Sequence, residues 1–218
     1  MTALSSPALR PWLSLLEILI LLGLVPVLVL FQPDGHLFRR AALLGGCLYV
    51  VLRLRRHISW IFLFGRPPGG WWRGPLLRGA LVLILALAYA FLCEPEHFLD
   101  LPRNRPLLWL IILILYPLLS VLPQEIIFRV WFFEAHKPLW RLPLLPLPVS
   151  ALFFGWAHII FAGWFAVAAT TLGGLLLAWN YHTHRASPGA IWPLCLEHSL
   201  YGLTMFTVGL GRHFFLSR

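Results

Sequence analysis

The chain has 218 residues, 60% of them hydrophobic and only 11% charged, with 11 Trp and 16 Phe. Several apolar runs reach the ~20 residues that a helix needs to cross the hydrocarbon core, which excludes a soluble globular protein. The formal net charge of +9 rests mainly on arginines between those runs, which suits membrane lipid headgroups; no nucleic-acid-binding module is present, so no nucleic-acid partner is expected. Cys47, Cys93 and Cys195 are isolated and odd in number, without a C-x-x-C pair. They read as packing residues rather than a disulfide framework or a zinc knuckle.

Residues 1–11 form a short polar lead, and Trp12 to Phe31 then has the length of a first span. It is longer than a signal-peptide core, lacks a small-residue cleavage site and ends in the turn Gln32-Pro33-Asp34-Gly35, so it is expected to stay as an anchor. Glu17 within it reads as a snorkelling or paired acid. A second span runs from about Leu37 to Leu54. Arg53, Arg55, Arg56, Arg66, Arg73 and Arg78 follow, interleaved with Pro67-Pro68-Gly69-Gly70 and Trp71-Trp72. This stretch reads as a basic interfacial loop on the cytoplasmic side, with His57 to Gly65 lying at the interface.

Leu76 to Cys93 gives the third span, and the acid-bearing loop Glu94 to Arg105 is expected outside. Pro106 to Leu122 is the fourth, interrupted by Pro117 and continuing past Pro123. A proline there removes a backbone donor and frees carbonyls that need other partners. Leu142 to Phe161 is the fifth span and Gly163 to Tyr181 the sixth, where Gly173-Gly174 permits close helix approach. Ala190 to Gly211 is the seventh. The expected fold is therefore all-α, a polytopic transmembrane helix bundle of about seven spans. It divides into N-terminal helices with the basic loop (1–105), a core (106–211) and a tail (212–218).

The chemistry concentrates where ionisable groups enter apolar runs, because such groups are costly in a membrane and mark functional sites. In Pro123-Gln124-Glu125-Ile126-Ile127-Phe128-Arg129, Glu125 and Arg129 are i and i+4 and share one helix face. A carboxylate held by an arginine can act as a general base toward water, or it can be an architectural ion pair. His158 lies in an aromatic run with Phe154. His198 is flanked by Glu197, Ser199 and Tyr201, and the i, i+4 pair Glu197 and Tyr201 is positioned to bond along one face while His198 points along another.

Residues 106–211 resemble the CPBP (Abi) family of intramembrane proteases, which includes CAAX prenyl proteases and bacteriocin-processing enzymes. Its pattern of E-E-x-x-x-R, F-x-x-x-H and H-x-x-x-N on successive helices is met here by Gln124-Glu125 with Arg129, Phe154 with His158, and His198 with Gly202. The resemblance implies a CAAX-protease-like core and a metal-free glutamate-dependent endopeptidase of the bacterial inner (cytoplasmic) membrane. The substrate would be a membrane-associated or lipid-anchored polypeptide. By position, His158 would orient the water and His198 would stabilise the oxyanion. Two positions depart from the pattern. Gln124 stands where the first glutamate is expected, leaving Glu125 as base with Glu197 compensating, and Gly202 replaces the asparagine.

Three other readings compete. A catalytically silent relative would use the same cavity as a membrane scaffold or peptide-binding protein. A zinc protease would ligate its metal through Glu125, His158 and His198, although no H-E-x-x-H is present. A transporter would require paired broken helices or two similar halves, and the chain shows neither.

Overall fold

The computed structural model describes residues 11–32, 35–55, 58–161 and 163–214; residues 1–10, positions 33–34, Arg56, His57, Ala162 and the last four residues lie outside them. The architecture is helical, with no strand among the described residues. Seven long helices appear in this part of the chain: α1 Pro11–Leu30, α2 Gly35–Leu54, α3 Arg73–Cys93, α4 Pro106–Glu134, α5 Pro146–Phe161, α6 Trp164–His184 and α7 Ile191–Val208. Of these, α1, α3 and α4 are long and apolar enough to cross a membrane by length and composition, and α5 is a shorter apolar helix. The short helix Trp60–Leu63, capped by the Ser59 hydroxyl on the Phe62 N–H, occupies the expected interfacial stretch.

Leucines cover the outside: Leu77 and Leu107 are more than two-thirds exposed, as are Leu92 and Leu172. In water such a surface would aggregate; against lipid tails it is ordinary. The inside is different. Ile126 to Phe133 in α4 are all buried, so this segment is covered on every side. A helix buried all round is the centre of its bundle, and it brings Arg129 into the interior with it.

Proline shapes both α1 and α4. Wide π-helical turns run over Leu19–Leu24 just before Pro26, over Pro117–Val121 starting at Pro117, and over Ile126–Trp131 shortly after Pro123. Each proline lacks the N–H of a regular turn, and widening the turn lets the helix continue where the sequence predicts a kink. Side chains from α5 bond to carbonyls in these stretches. Ser150 donates to the Phe128 carbonyl at 2.7 Å, and Trp156 donates to the Gly23 carbonyl at 2.9 Å.

Small residues set the helix contacts that frame the site. A Cβ on Gly155 of α5 would overlap the Thr171 hydroxyl of α6, and one on Gly174 would lie 3.2 Å from the Ala151 Cα. Gly79 of α3 faces Leu200 of α7, where a Cβ would come within 2.7 Å of Cδ1. These close approaches bring α5, α6 and α7 around the buried part of α4.

Candidate active site

Glu125 and Arg129 are both fully buried and pair across one turn of α4 at 3.4 Å. Arg129 also donates to the Gly174 carbonyl of α6 at 3.1 Å and lies 4.3 Å over the Phe154 ring of α5. One guanidinium thus joins three helices, with its charge met by a carboxylate, a carbonyl dipole and an aromatic face. From α7, His198 reaches the same carboxylate: its Nδ1 is 2.5 Å from Glu125 Oε1. A carboxylate can only accept, so Nδ1 carries the proton and, in the neutral ring, Nε2 keeps the lone pair. Glu125 Oε2 is buried and has no partner among the described residues.

His158 is held by another route. At the end of α5 the backbone tightens, and the His158 N–H bonds to Gly155 and Trp156 carbonyls. That leaves the Phe154 carbonyl without its usual i+4 donor, and His158 Nδ1 takes it at 2.7 Å. A carbonyl also only accepts, so here too Nε2 carries the lone pair. The Phe154 ring stands edge-on to both imidazoles, at 4.7 Å from His158 and 5.5 Å from His198. Phe154 is the wall between them.

Both histidines line a cavity of about 850 Å³ between the helices, together with Gln124, Tyr116, Arg78 and Gly202. No Asp or Glu belongs to its wall among the described residues. Glu125 therefore meets the cavity only through His198. Gln124 is on the wall, with its Nε2 donating to Ser120 at 2.8 Å and its Oε1 buried without a partner. Among the described residues no three His, Cys, Asp or Glu side chains converge as a metal ligand set.

Glu197 belongs to a separate cluster. Arg78 of α3 grips it with two hydrogen bonds, Nε to Oε1 at 2.7 Å and Nη2 to Oε2 at 2.6 Å. Tyr201 donates to Oε1 at 2.5 Å, and Asn180 of α6 donates to Oε2. Both oxygens are occupied, so Glu197 has no lone pair facing the cavity to replace a missing base. Arg78, expected with the loop arginines, instead lies in α3 and points inward. Asn180 gave no signal in the sequence, since its partner lies on another helix. Glu17 is paired, with Tyr49 at 2.5 Å, Arg53 at 3.4 Å and the fully buried His136 at 3.4 Å.

Fold and site together define a multi-pass α-helical membrane protein whose buried polar core is a carboxylate–histidine–arginine cluster beside a cavity between its helices. Residues 106–204 match the family model described as type II CAAX prenyl endopeptidase Rce1-like. That segment is thus similar to Rce1-like endopeptidases, consistent with the CPBP/CAAX protease resemblance of its motifs, and the similarity supports a peptide hydrolase in general. Neither the curated proteins nor the solved structures gave a match.

Proposed function

We propose that the protein is an intramembrane endopeptidase of the bacterial inner membrane. It cuts a membrane-associated or lipid-anchored polypeptide with a water activated by the Glu125–His198 pair. The observation that carries this reading is the 2.5 Å bond from His198 Nδ1 to a fully buried Glu125, behind an imidazole that lines the cavity. A carboxylate in that place fixes the tautomer, turns Nε2 to the cavity and stabilises the imidazolium that forms when Nε2 takes a proton from water. His158 Nε2 is a second acceptor on the same wall and orients the water. Arg129 keeps the Glu125 charge in place without touching substrate. This assigns the base to His198, with Glu125 behind it, rather than to Glu125 directly.

The chemistry uses no metal. Water adds to the carbonyl carbon, its proton passes to His198, and the same proton goes to the leaving nitrogen as the C–N bond breaks. The test is cleavage of membrane-anchored peptides in liposomes, comparing wild type with Glu125→Gln, His198→Ala, His158→Ala and Gln124→Glu, each with and without a chelator. Wild type is expected to cut, Glu125→Gln and His198→Ala to lose about 10,000-fold, and the chelator to change nothing. Chelator-sensitive cleavage restored by zinc would replace this mechanism with the metal one.

A second reading is favoured by Gln124, an amide on the cavity wall whose Nε2 is already tied to Ser120. In that reading the protein holds a peptide segment without cutting it. Cleavage by Gln124→Glu from a silent wild type would establish it.

A further inference from the structure

The face of α7 that carries His198 continues through Gly202 and Phe206, each one turn further on. Tyr116 of α4 lies along this stripe. Its ring meets His198 edge-on at 6.2 Å and Phe206 edge-on at 5.3 Å. Its hydroxyl occupies the place where a side chain at position 202 would begin, since a Cβ on Gly202 would overlap the Tyr116 oxygen. The missing side chain at Gly202 is therefore not a gap, because the phenol from α4 fills it.

Tyr116, Gly202 and His198 all line the same cavity. Among the described residues the Tyr116 hydroxyl has no hydrogen-bond partner, whereas a buried phenol ordinarily has one. Other donors nearby are committed: Tyr201 and Arg78 are held by Glu197, and His198 Nδ1–H by Glu125. An O–H beside the histidine, facing the cavity and unspent, is placed to meet a ligand oxygen.

We propose that the Tyr116 hydroxyl is an oxyanion donor of this site, a catalytic residue that replaces the donor absent at Gly202. The proposal rests on the peptidase reading. As the water oxygen bonds to the carbonyl carbon, the C=O pair moves onto oxygen and the water proton goes to His198 Nε2. Tyr116 keeps its proton and hydrogen-bonds to that oxygen. When the carbonyl re-forms, the C–N bond breaks and the nitrogen takes the proton from His198. While Nε2 accepts from water it cannot also donate to the oxyanion, so the donor has to be a different group.

The experiment compares two isosteric probes on the full chain in nanodiscs: a phosphinic pseudopeptide of leucine and valine, which is tetrahedral and anionic, and its flat ketomethylene counterpart. Binding is read from tryptophan fluorescence. Wild type is expected to prefer the phosphinate. Tyr116→Phe loses about 100-fold on the phosphinate and less than about threefold on the ketomethylene, as for loss of one oxyanion donor. The double variant Tyr116→Ala/Gly202→Asn, with an amide in the vacated space, recovers part of the preference. No phosphinate preference in wild type, or equal losses on both probes in Tyr116→Phe, overturns the proposal. Preference without cleavage of any peptide keeps the donor and ends the peptidase reading; cleavage untouched by Tyr116→Phe does the reverse.

Discussion

Two glutamates enter the interior of this bundle, and both are fully buried. Glu197 on α7 has every oxygen engaged, by a two-pronged arginine, an asparagine and a tyrosine. Glu125 on α4 shares one oxygen between His198 and Arg129 and leaves the other without a partner. A saturated buried acid is an anchor: it joins α3, α6 and α7, and nothing else can reach it. In the proposed mechanism the under-coordinated acid behind a cavity-lining imidazole serves the chemistry, because its charge acts through a group that does meet the cavity. Under the peptidase reading the chain uses one residue type for two purposes, set apart by how completely its oxygens are occupied.

The sharpest way to break this contrast is to make the same change at both acids. Glu125→Gln is expected to remove about 10,000-fold of the cleavage activity per folded molecule, whereas Glu197→Gln changes it less than about tenfold. Liposome cleavage normalised to folded protein checks both. For Glu197→Gln the damage falls on stability, about 3–5 kcal/mol, since Arg78 is left with a broken pair. Unfolding curves in mixed micelles measure it. If Glu197→Gln abolished cleavage while leaving unfolding unchanged, the two acids would have been assigned the wrong way round.

A second prediction sharpens the anchor itself. The double variant Arg78→Leu/Glu197→Leu removes both charges and is expected to recover most of the loss of either single variant, because two apolar side chains carry no desolvation penalty. The same unfolding curves decide it, and a double variant as weak as the sum of the singles would mean that Asn180 and Tyr201 matter more than the ion pair.

The smallest effect lies just past the end of α3. Burial pushes the Glu94 carboxyl up, but hydrogen bonds from Arg212 and His213 outweigh it and hold the group below its ordinary value of 4.5. Arg212 Nη2 is 2.8 Å and His213 Nε2 2.9 Å from its oxygens. A depressed carboxyl stabilises the fold fully above the unfolded value and less as pH falls through the folded one. The unfolding midpoint of wild type is therefore expected to exceed that of Glu94→Gln by a constant amount above about pH 4.5, and the gap to close below it. A gap that stayed constant at acid pH would show that the two ion pairs contribute nothing.

Much of the helix arrangement was legible because apolar runs of spanning length have few other uses; six of the seven long helices begin and end within a few residues of those runs, whereas α4 continues to Glu134, well past the expected end at Leu122. The polar cluster was legible where polarity interrupts grease: Glu125, Arg129, His158 and His198 stand out as ionisable groups within apolar runs. Partners were not. Arg78 and Glu197 are 119 positions apart, and a pairing at that distance leaves no local pattern. Arg78 therefore read as one more loop arginine, and Glu197 as a spare base. Tyr116 was missed for a related reason. A tyrosine in an apolar helix is unremarkable until the glycine opposite it shows what its hydroxyl replaces.

The polarity of α7 has a consequence for how the protein is made. Pro193, Glu197, His198, Ser199 and Thr204 lie along one helix, which is not among those apolar enough to cross a membrane by composition alone. An acid at the centre of a lone inserting segment costs about 2.5–3.5 kcal/mol. Its cationic counterpart, Arg78, comes 119 positions earlier in the chain, on a helix long and apolar enough to cross a membrane by length and composition. Chain order therefore puts the guanidinium before the acid it neutralises, so a helix that is costly to insert alone has its counter-charge on a segment made earlier.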